Sequence, residues 1–140
     1  MSSPFPILSE LETKIKHRTA TVGVVGLGYV GLPLAVEKAK AGFQVIGIEQ
    51  NQRRMDWVNR AHNYISDVQD EALTEVVQSG KLRAVNDFQF LPEMDVIVIC
   101  VPTPLTPNLT PNLSCVESVT RNLAQHLRRG QLITLESTTY

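Results

Sequence analysis

Three regularly spaced glycines are the residues of this sequence that point most directly to chemistry. Gly26, Gly28 and Gly31 form the pattern G-x-G-x-x-G in the segment GLGYVG. Where this pattern joins a strand to a helix, the first glycine permits a tight turn, the second lets the backbone approach a pyrophosphate, and the third lets the helix pack closely on the strand. The free N–H groups and the positive end of the helix dipole then bind the phosphates. The spacing therefore predicts a dinucleotide-binding turn.

A carboxylate follows at a position from which it can bind a ribose. Glu49 comes about 20 residues after the glycine pattern, at the end of the next apolar segment, as a dinucleotide fingerprint requires. It can accept hydrogen bonds from the adenosine ribose and would repel a 2′-phosphate, which favours NAD over NADP. Arg53 and Arg54 leave NADP open, because guanidinium groups bind phosphates well. Both arginines could equally lie on a solvated helix face.

The elements that must position these residues alternate between strand and helix. Residues 95–101 form an apolar Val/Ile run, which is expected of a strand buried on both faces of a parallel sheet. Repeated strand–helix units imply right-handed crossovers, and hence an α/β fold with a Rossmann-type doubly wound parallel sheet in three layers. The predicted strands are residues 21–26, 43–49, 81–85, 95–101 and 131–135, and the predicted helices are residues 29–41, 71–79 and 113–129 with a further helix from Asn51.

Two further segments lie outside these strands and helices. Ser9 and Glu12 have the spacing of a capping box, which predicts that a short helix begins there, within an N-terminal helical segment of residues 1–18 that leads into a single domain of residues 19–140. The loop of residues 102–112 is rich in proline and threonine and follows the carboxyl end of a buried strand. Proline-rich loops are often flexible connectors, but ligands of open α/β sheets bind beside such strand ends. We therefore expect this loop to border the binding crevice.

Composition excludes several classes of function. Among 140 residues, 43% are hydrophobic and 19% charged, and the net charge of -1 provides no field for nucleic acid or an anionic membrane. The uncharged segment of residues 19–36 contains glycines and Pro33 and therefore favours a strand, a turn and a helix over a membrane span. Neither the two cysteines nor the three histidines have metal-ligand spacing, so no metal is expected. The sequence carries no secretory leader pattern, and we expect a cytoplasmic protein.

Three segments, taken in order, resemble a known family. They are GLGYVGLPLA at residues 26–35, CVPTPL at residues 100–105 and LESTTY at residues 135–140. Together they resemble the UDP-glucose/GDP-mannose dehydrogenase family, and residue by residue they are most similar to its UDP-N-acetylglucosamine 6-dehydrogenase branch. The resemblance implies oxidation of the C6 alcohol of a UDP-sugar to a uronate with two NAD, on a Rossmann-type domain.

The resemblance also implies roles for individual residues. Glu49 stands on the ribose where the family more usually has Asp. The resemblance places the family's cysteine nucleophile and its base in a later domain beyond residues 19–140, so we expect these residues to show no turnover alone and the full-length enzyme to be a homo-oligomer. The implied cofactor contacts are Tyr29 and Val30 on the pyrophosphate turn, Arg54 as a basic contact, Pro102, Thr103 and Pro104 beside the nicotinamide, and Thr138 as a hydroxyl that helps to hold the reacting water.

Neither cysteine of the chain is expected to replace the missing nucleophile. Cys100 lies in or just after a buried strand, where thiols behave as small inert hydrophobes. Cys115 lies near the start of a helix, where its pKa could be lowered, but no general base is evident beside it.

Other functions stay open at this stage. The chain could be a regulatory module that senses NAD without catalysis, or part of a UDP-glucose or UDP-N-acetylmannosamine dehydrogenase. A methyltransferase that binds S-adenosylmethionine is a further alternative, because its ligand also meets a carboxylate after the second strand. Gly31 and the two later segments count against the methyltransferase.

Overall fold

Five parallel strands form a single sheet in the computed structural model, which describes residues 5–137. The strands lie in the order β3-β2-β1-β4-β5, and the carboxyl ends of all five share one edge of the sheet. The chain crosses from β3 at one edge of the sheet back to β4 beside β1, so the strand order reverses between β1 and β4. The strands are β1 (Thr21–Val25), β2 (Gln44–Ile48), β3 (Leu82–Val85), β4 (Val96–Ile99) and β5 (Leu132–Leu135).

Helices cover both faces of this sheet, as the alternating sequence predicts. One face packs against α2, α3 and α4, and the other against α5 and a 3-10 helix. The strands β1, β2 and β4 are buried almost throughout, which explains their continuous valine and isoleucine content. The helices are α1 (Pro6–Lys16), α2 (Gly31–Lys40), α3 (Gln52–Asn59), α4 (Asp70–Gln78) and α5 (Ser114–His126), and the 3-10 helix is Phe88–Glu93.

The predicted elements differ most from the structure at α1, at the end of α5 and between β3 and β4. The capping box at Ser9 is wrong, because α1 already begins at Pro6, whose missing N–H is no loss in a first turn. Helix α5 ends at His126, three residues earlier than expected, because Leu127 adopts an extended conformation. The 3-10 helix between β3 and β4 was not predicted. Within the described residues, no helix is long and apolar enough to cross a membrane.

A buried carboxylate ties α1 to the sheet at the edge opposite to the carboxyl ends of the strands. Asp95 is only 6% exposed. It accepts hydrogen bonds from the Thr21 backbone N–H at 2.8 Å, from Arg128 Nη2 at 2.8 Å and from Lys14 Nζ at 3.2 Å. Burial alone would raise the pKa of Asp95, but these hydrogen bonds outweigh it and hold the pKa below its usual value.

Asp95→Asn is expected to lower the free energy of unfolding by about 1–2 kcal/mol at neutral pH, because hydrogen bonds to a charge are lost while both cations stay partly solvated. The folded-state pKa lies below the unfolded value of about 3.9, so the carboxylate stabilises the fold above that pH. Its contribution fades as the pH falls through the folded-state pKa. Urea unfolding of both proteins at about pH 7 and about pH 3 measures this difference, which should shrink in acid.

The exposed ion pair between Arg83 and Glu93, 3.5 Å apart, provides the control. Glu93→Gln should change stability by less than about 0.5 kcal/mol. An Asp95→Asn loss that is equal at both pH values would contradict a role for the ionised carboxylate.

Candidate functional site

A cleft of about 810 Å³ opens at the carboxyl ends of β1, β2 and β4. It lies where the strand order reverses, because β1 pairs with β2 on one side and with β4 on the other. This is the position at which open α/β sheets bind ligands. Its lining comes from the glycine turn after β1, residues 49–51 after β2, residues 100–103 after β4, the first half of α5, and Glu136 and Ser137 after β5.

The glycine turn has three glycines with three different surroundings. Gly26 has a φ of +94°, and a Cβ there would lie 2.8 Å from the Cys100 carbonyl oxygen. A Cβ on Gly31 would lie 1.7 Å from the Gly26 carbonyl oxygen. Among the described residues other than its chain neighbours, a Cβ on Gly28 would have only Arg54 Nη1 within 4 Å, at 3.9 Å. The protein therefore fills the space beside Gly26 and Gly31 but leaves the space beside Gly28 open to the cleft.

The same turn presents backbone N–H groups toward the cleft. Within residues 5–137, the N–H groups of residues 28–31 make no hydrogen bond to the protein. The side chains of Tyr29 and Val30 are exposed at the mouth of the cleft. These donors lie at the positive end of α2, so the turn is suited to an anionic group.

The Glu49 carboxylate holds the turn against the start of α3. Its Oε1 accepts from the Leu27 N–H at 3.3 Å, and its Oε2 accepts from the Asn51 N–H at 3.2 Å. Arg54 Nη1 lies 3.8 Å from Oε1. An ionised carboxylate has about four acceptor positions, so Glu49 keeps capacity for a ligand hydroxyl group. It is 8% exposed and lines the cleft.

The two arginines that left NADP open have different surroundings. Arg54 lines the cleft beside Glu49. The Arg53 guanidinium lies 5.9 Å from the centroid of the Trp57 ring and does not line the cleft. Only one guanidinium is thus placed where it could meet a 2′-phosphate, and that guanidinium faces a carboxylate.

The residues expected beside the nicotinamide are brought only partly into the cleft. Pro102 and Thr103 line it, whereas Pro104 does not, and its carbonyl accepts the Asn112 N–H at 2.7 Å. The loop has internal order, because Leu105 and Pro111 form an antiparallel bridge. Thr138 lies outside the described residues.

The two cysteines differ in their access to the cleft. Cys100 is buried, and burial together with the nearby charge of Glu136 raises the pKa of its thiol to about 11. It is therefore neutral near pH 7 and a poor nucleophile, in agreement with the sequence-based expectation. Cys115 is the second residue of α5 and lines the cleft. No cluster of His, Cys, Asp and Glu within residues 5–137 could hold a metal ion.

Several lining residues were not anticipated from the sequence, and four of them, Glu136, Ser137, Ser118 and Phe88, show why. Glu136 and Ser137 follow β5, and the rule that ligands bind beside strand ends could have identified them. Ser118 lies one helical turn after Cys115, so helical periodicity could have placed both on one face. Phe88 begins the 3-10 helix, for which the sequence carried no signal. All four line the cleft.

Comparisons with known proteins agree with this geometry. Residues 20–140 match the UDP-glucose/GDP-mannose dehydrogenase family, NAD binding domain. The NDP-N-acetyl-D-galactosaminuronic acid dehydrogenase of Ralstonia nicotianae is 41% identical over 120 residues, which cover 84% of this chain and 27% of that protein. The UDP-N-acetyl-D-mannosamine dehydrogenase of Escherichia coli K12 is 39% identical, with 85% of this chain and 28% of that protein covered.

Solved structures of nucleotide-sugar dehydrogenases also superimpose on this chain. The UDP-D-ManNAc dehydrogenase of Pyrococcus horikoshii superimposes with a TM-score of 0.77 at 35% identity, covering 84% of this chain and 28% of that one. The GDP-mannose dehydrogenase of Pseudomonas aeruginosa superimposes with a TM-score of 0.79 at 29% identity and the same coverage of 84% and 28%. The chain thus spans little more than a quarter of the length of these relatives.

Proposed function

Because the chain belongs to the UDP-glucose/GDP-mannose dehydrogenase family, as its NAD-binding domain, we propose that the protein containing it oxidises a UDP-linked N-acetylhexosamine at C6 with NAD. The N-acetylated sugar is supported by the names of the two relatives described above, a UDP-N-acetyl-D-mannosamine dehydrogenase and an NDP-N-acetyl-D-galactosaminuronic acid dehydrogenase. UDP-N-acetylglucosamine, the substrate that the resemblance of the three sequence segments favoured, belongs to the same class of sugar. UDP-N-acetylmannosamine is the better-supported substrate, because the Escherichia coli relative is named as a dehydrogenase of this sugar nucleotide.

The open space beside Gly28 is the observation that carries the proposed NAD site. A Cβ at this position would point into the cleft, next to backbone N–H groups that have no acceptor among residues 5–137. A pyrophosphate can therefore approach the backbone here, at the part of the cleft that Tyr29 and Val30 also line. We assign Glu49 to the adenosine ribose, and Pro102 and Thr103 to the nicotinamide half of the cleft.

NAD, when bound, would supply the acceptor for the hydride that leaves the sugar carbon. The side chains of this chain bind and orient the cofactor, and the buried neutral Cys100 offers no alternative nucleophile. A regulatory module without turnover would bind NAD through the same contacts. Turnover by the whole protein therefore distinguishes these two functions.

The proposed activity is tested by incubating the whole protein with NAD and each of four sugars: UDP-N-acetylmannosamine, UDP-N-acetylglucosamine, UDP-N-acetylgalactosamine and UDP-glucose. We expect NADH formation with an N-acetylated sugar and little with UDP-glucose. A preference for UDP-glucose would overturn the proposed substrate class. NAD binding without NADH formation from any nucleotide sugar would favour the regulatory module.

The cofactor preference is tested by Glu49→Gln, which keeps the length of the side chain and one acceptor oxygen but removes the charge. The variant should bind NAD more weakly by about 1–2 kcal/mol, the scale of hydrogen bonds to a charged group. Its preference for NAD over NADP should narrow, because the repulsion of a 2′-phosphate is lost while Arg54 remains. Calorimetric titration of both cofactors measures the two affinities.

Glu37→Gln is the matched control, because Glu37 is exposed on α2 and paired with Lys40 at 3.3 Å, outside the cleft lining. It should leave both affinities unchanged. An unchanged ratio of NAD to NADP affinity in Glu49→Gln would show that Glu49 does not face the ribose.

A further inference from the structure

The hydroxyl group of Tyr64 lies against the glycine turn, outside the cleft lining. Tyr64 belongs to the irregular segment between α3 and α4 and is partly buried. Its hydroxyl donates a hydrogen bond to the Leu27 carbonyl oxygen at 2.5 Å. Its ring lies 5.6 Å from the Trp57 ring between centroids, and the Arg54 guanidinium lies 5.7 Å from the Tyr64 centroid. Packing on two sides therefore fixes the direction of the hydroxyl group.

The Leu27 carbonyl and the Gly28 N–H belong to one peptide group. In a trans peptide these two groups point in opposite directions, and the described residues contain no cis peptide. The side of this peptide that faces Tyr64 is hydrogen-bonded, whereas the Gly28 N–H on the other side has no acceptor within residues 5–137. The preceding peptide is held as well, because the Leu27 N–H donates to Glu49. Two side chains thus fix the two peptide groups that flank Leu27.

We propose that Tyr64 is a positioning residue for the pyrophosphate of the dinucleotide, acting through the Leu27–Gly28 peptide. Its hydroxyl fixes the orientation of this peptide before the ligand arrives, which lowers the ordering cost of binding. It also polarises the peptide, because consecutive hydrogen bonds strengthen one another, so the Gly28 N–H becomes a better donor. The inference rests on the NAD binding proposed above and adds a residue that the glycine pattern does not contain.

Tyr64 keeps its proton under all conditions in which this role matters. Burial and then the charge of Glu49 raise the pKa of Tyr64 above its ordinary range, with Arg54 opposing them. The hydroxyl is therefore a permanent donor to the Leu27 carbonyl rather than a pH-dependent one.

Tyr64→Phe removes the hydroxyl group and keeps the ring that packs on Trp57 and Arg54. We expect the dissociation constant for NAD to rise about three- to tenfold, because the Leu27–Gly28 peptide is then ordered only when the ligand binds and its N–H is a weaker donor. Calorimetric titration measures it. In the ligand-free protein, the amide resonance of Gly28 should shift in an isotope-correlated NMR spectrum, because its own peptide group loses a hydrogen bond.

Trp57→Phe is the matched control, because phenylalanine keeps an aromatic ring beside Tyr64 and leaves both the Tyr64 hydroxyl group and its contact with Arg54 in place. It should reduce thermal stability while the affinity for NAD stays within about twofold of the wild type, well below the loss expected for a hydrogen bond. An unchanged NAD affinity in Tyr64→Phe, or an equal loss in both variants, would overturn the positioning role alone. Failure of the wild type to bind NAD would overturn the proposed function and this inference with it.

Discussion

Gly28→Val is expected to abolish measurable NAD binding while the chain remains folded. A Cβ at this position meets no backbone atom of the described residues beyond its chain neighbours, since only Arg54 Nη1 comes within 4 Å of it, at 3.9 Å. Gly28 is also not among the residues with positive φ, so a β-branched residue introduces no backbone strain of that kind. The side chain would instead occupy the space that a pyrophosphate needs. Loss of two hydrogen bonds to a charged group costs about 3 kcal/mol or more, which corresponds to about a hundredfold loss of affinity.

Calorimetric titration with NAD and urea unfolding of Gly28→Val measure the two halves of this prediction. Gly80→Ala is the control, because Gly80 has a φ of +77° and lies outside the cleft lining, with no heavy atom within 4 Å of an ideal Cβ. It should lose stability and keep its affinity for NAD. Retention of NAD affinity in Gly28→Val would show that the pyrophosphate does not bind at the glycine turn.

The parts of the fold that the sequence predicted are those in which local pattern and tertiary packing agree. The sequence predicted all five strands, of which β1, β2 and β4 are apolar runs buried almost throughout. The shorter and more exposed strands β3 and β5 follow from their places in the strand–helix alternation. The start of α2 was placed two residues early, at Tyr29 instead of Gly31. The glycine turn extends to Gly31, where only a residue without a Cβ fits against Gly26.

The features that the sequence did not predict depend on contacts between distant residues. Helix α5 ends early where Arg128 turns to donate to the Pro92 carbonyl at 2.7 Å and to Asp95 at 2.8 Å. The hydrogen bond from Tyr64 to Leu27 joins residues 37 positions apart, and no local pattern encodes it. Glu49 was identified by its spacing, but its two hydrogen bonds to backbone N–H groups emerge only from the fold.

In the glycine turn, Gly31→Ala is expected to cause the largest loss of stability. The added Cβ would lie 1.7 Å from the Gly26 carbonyl oxygen and 2.8 Å from the Gly26 carbonyl carbon. Both are backbone atoms of a turn that is itself fixed, since Gly26 donates its N–H to the Ile48 carbonyl at 2.8 Å. Helix α2 must therefore move away from β1. Such overpacking costs about 3 kcal/mol or more, out of a total stability of about 5–15 kcal/mol for a domain of this kind.

Urea unfolding of Gly31→Ala measures this loss, and Gly42→Ala separates steric overlap from backbone strain. Gly42 has a φ of +106°, but the nearest atom to an ideal Cβ is the Arg18 Cδ at 3.5 Å, the end of a flexible side chain. Gly42→Ala should lower the free energy of unfolding by only about 1–2 kcal/mol, the cost of a left-handed conformation for an L-residue. The overlap at Gly31 exceeds this cost because neither partner atom can rotate away. If Gly31→Ala is no less stable than Gly42→Ala, the contact between α2 and the turn can relax, and Gly31 is not required for close packing of α2 on β1.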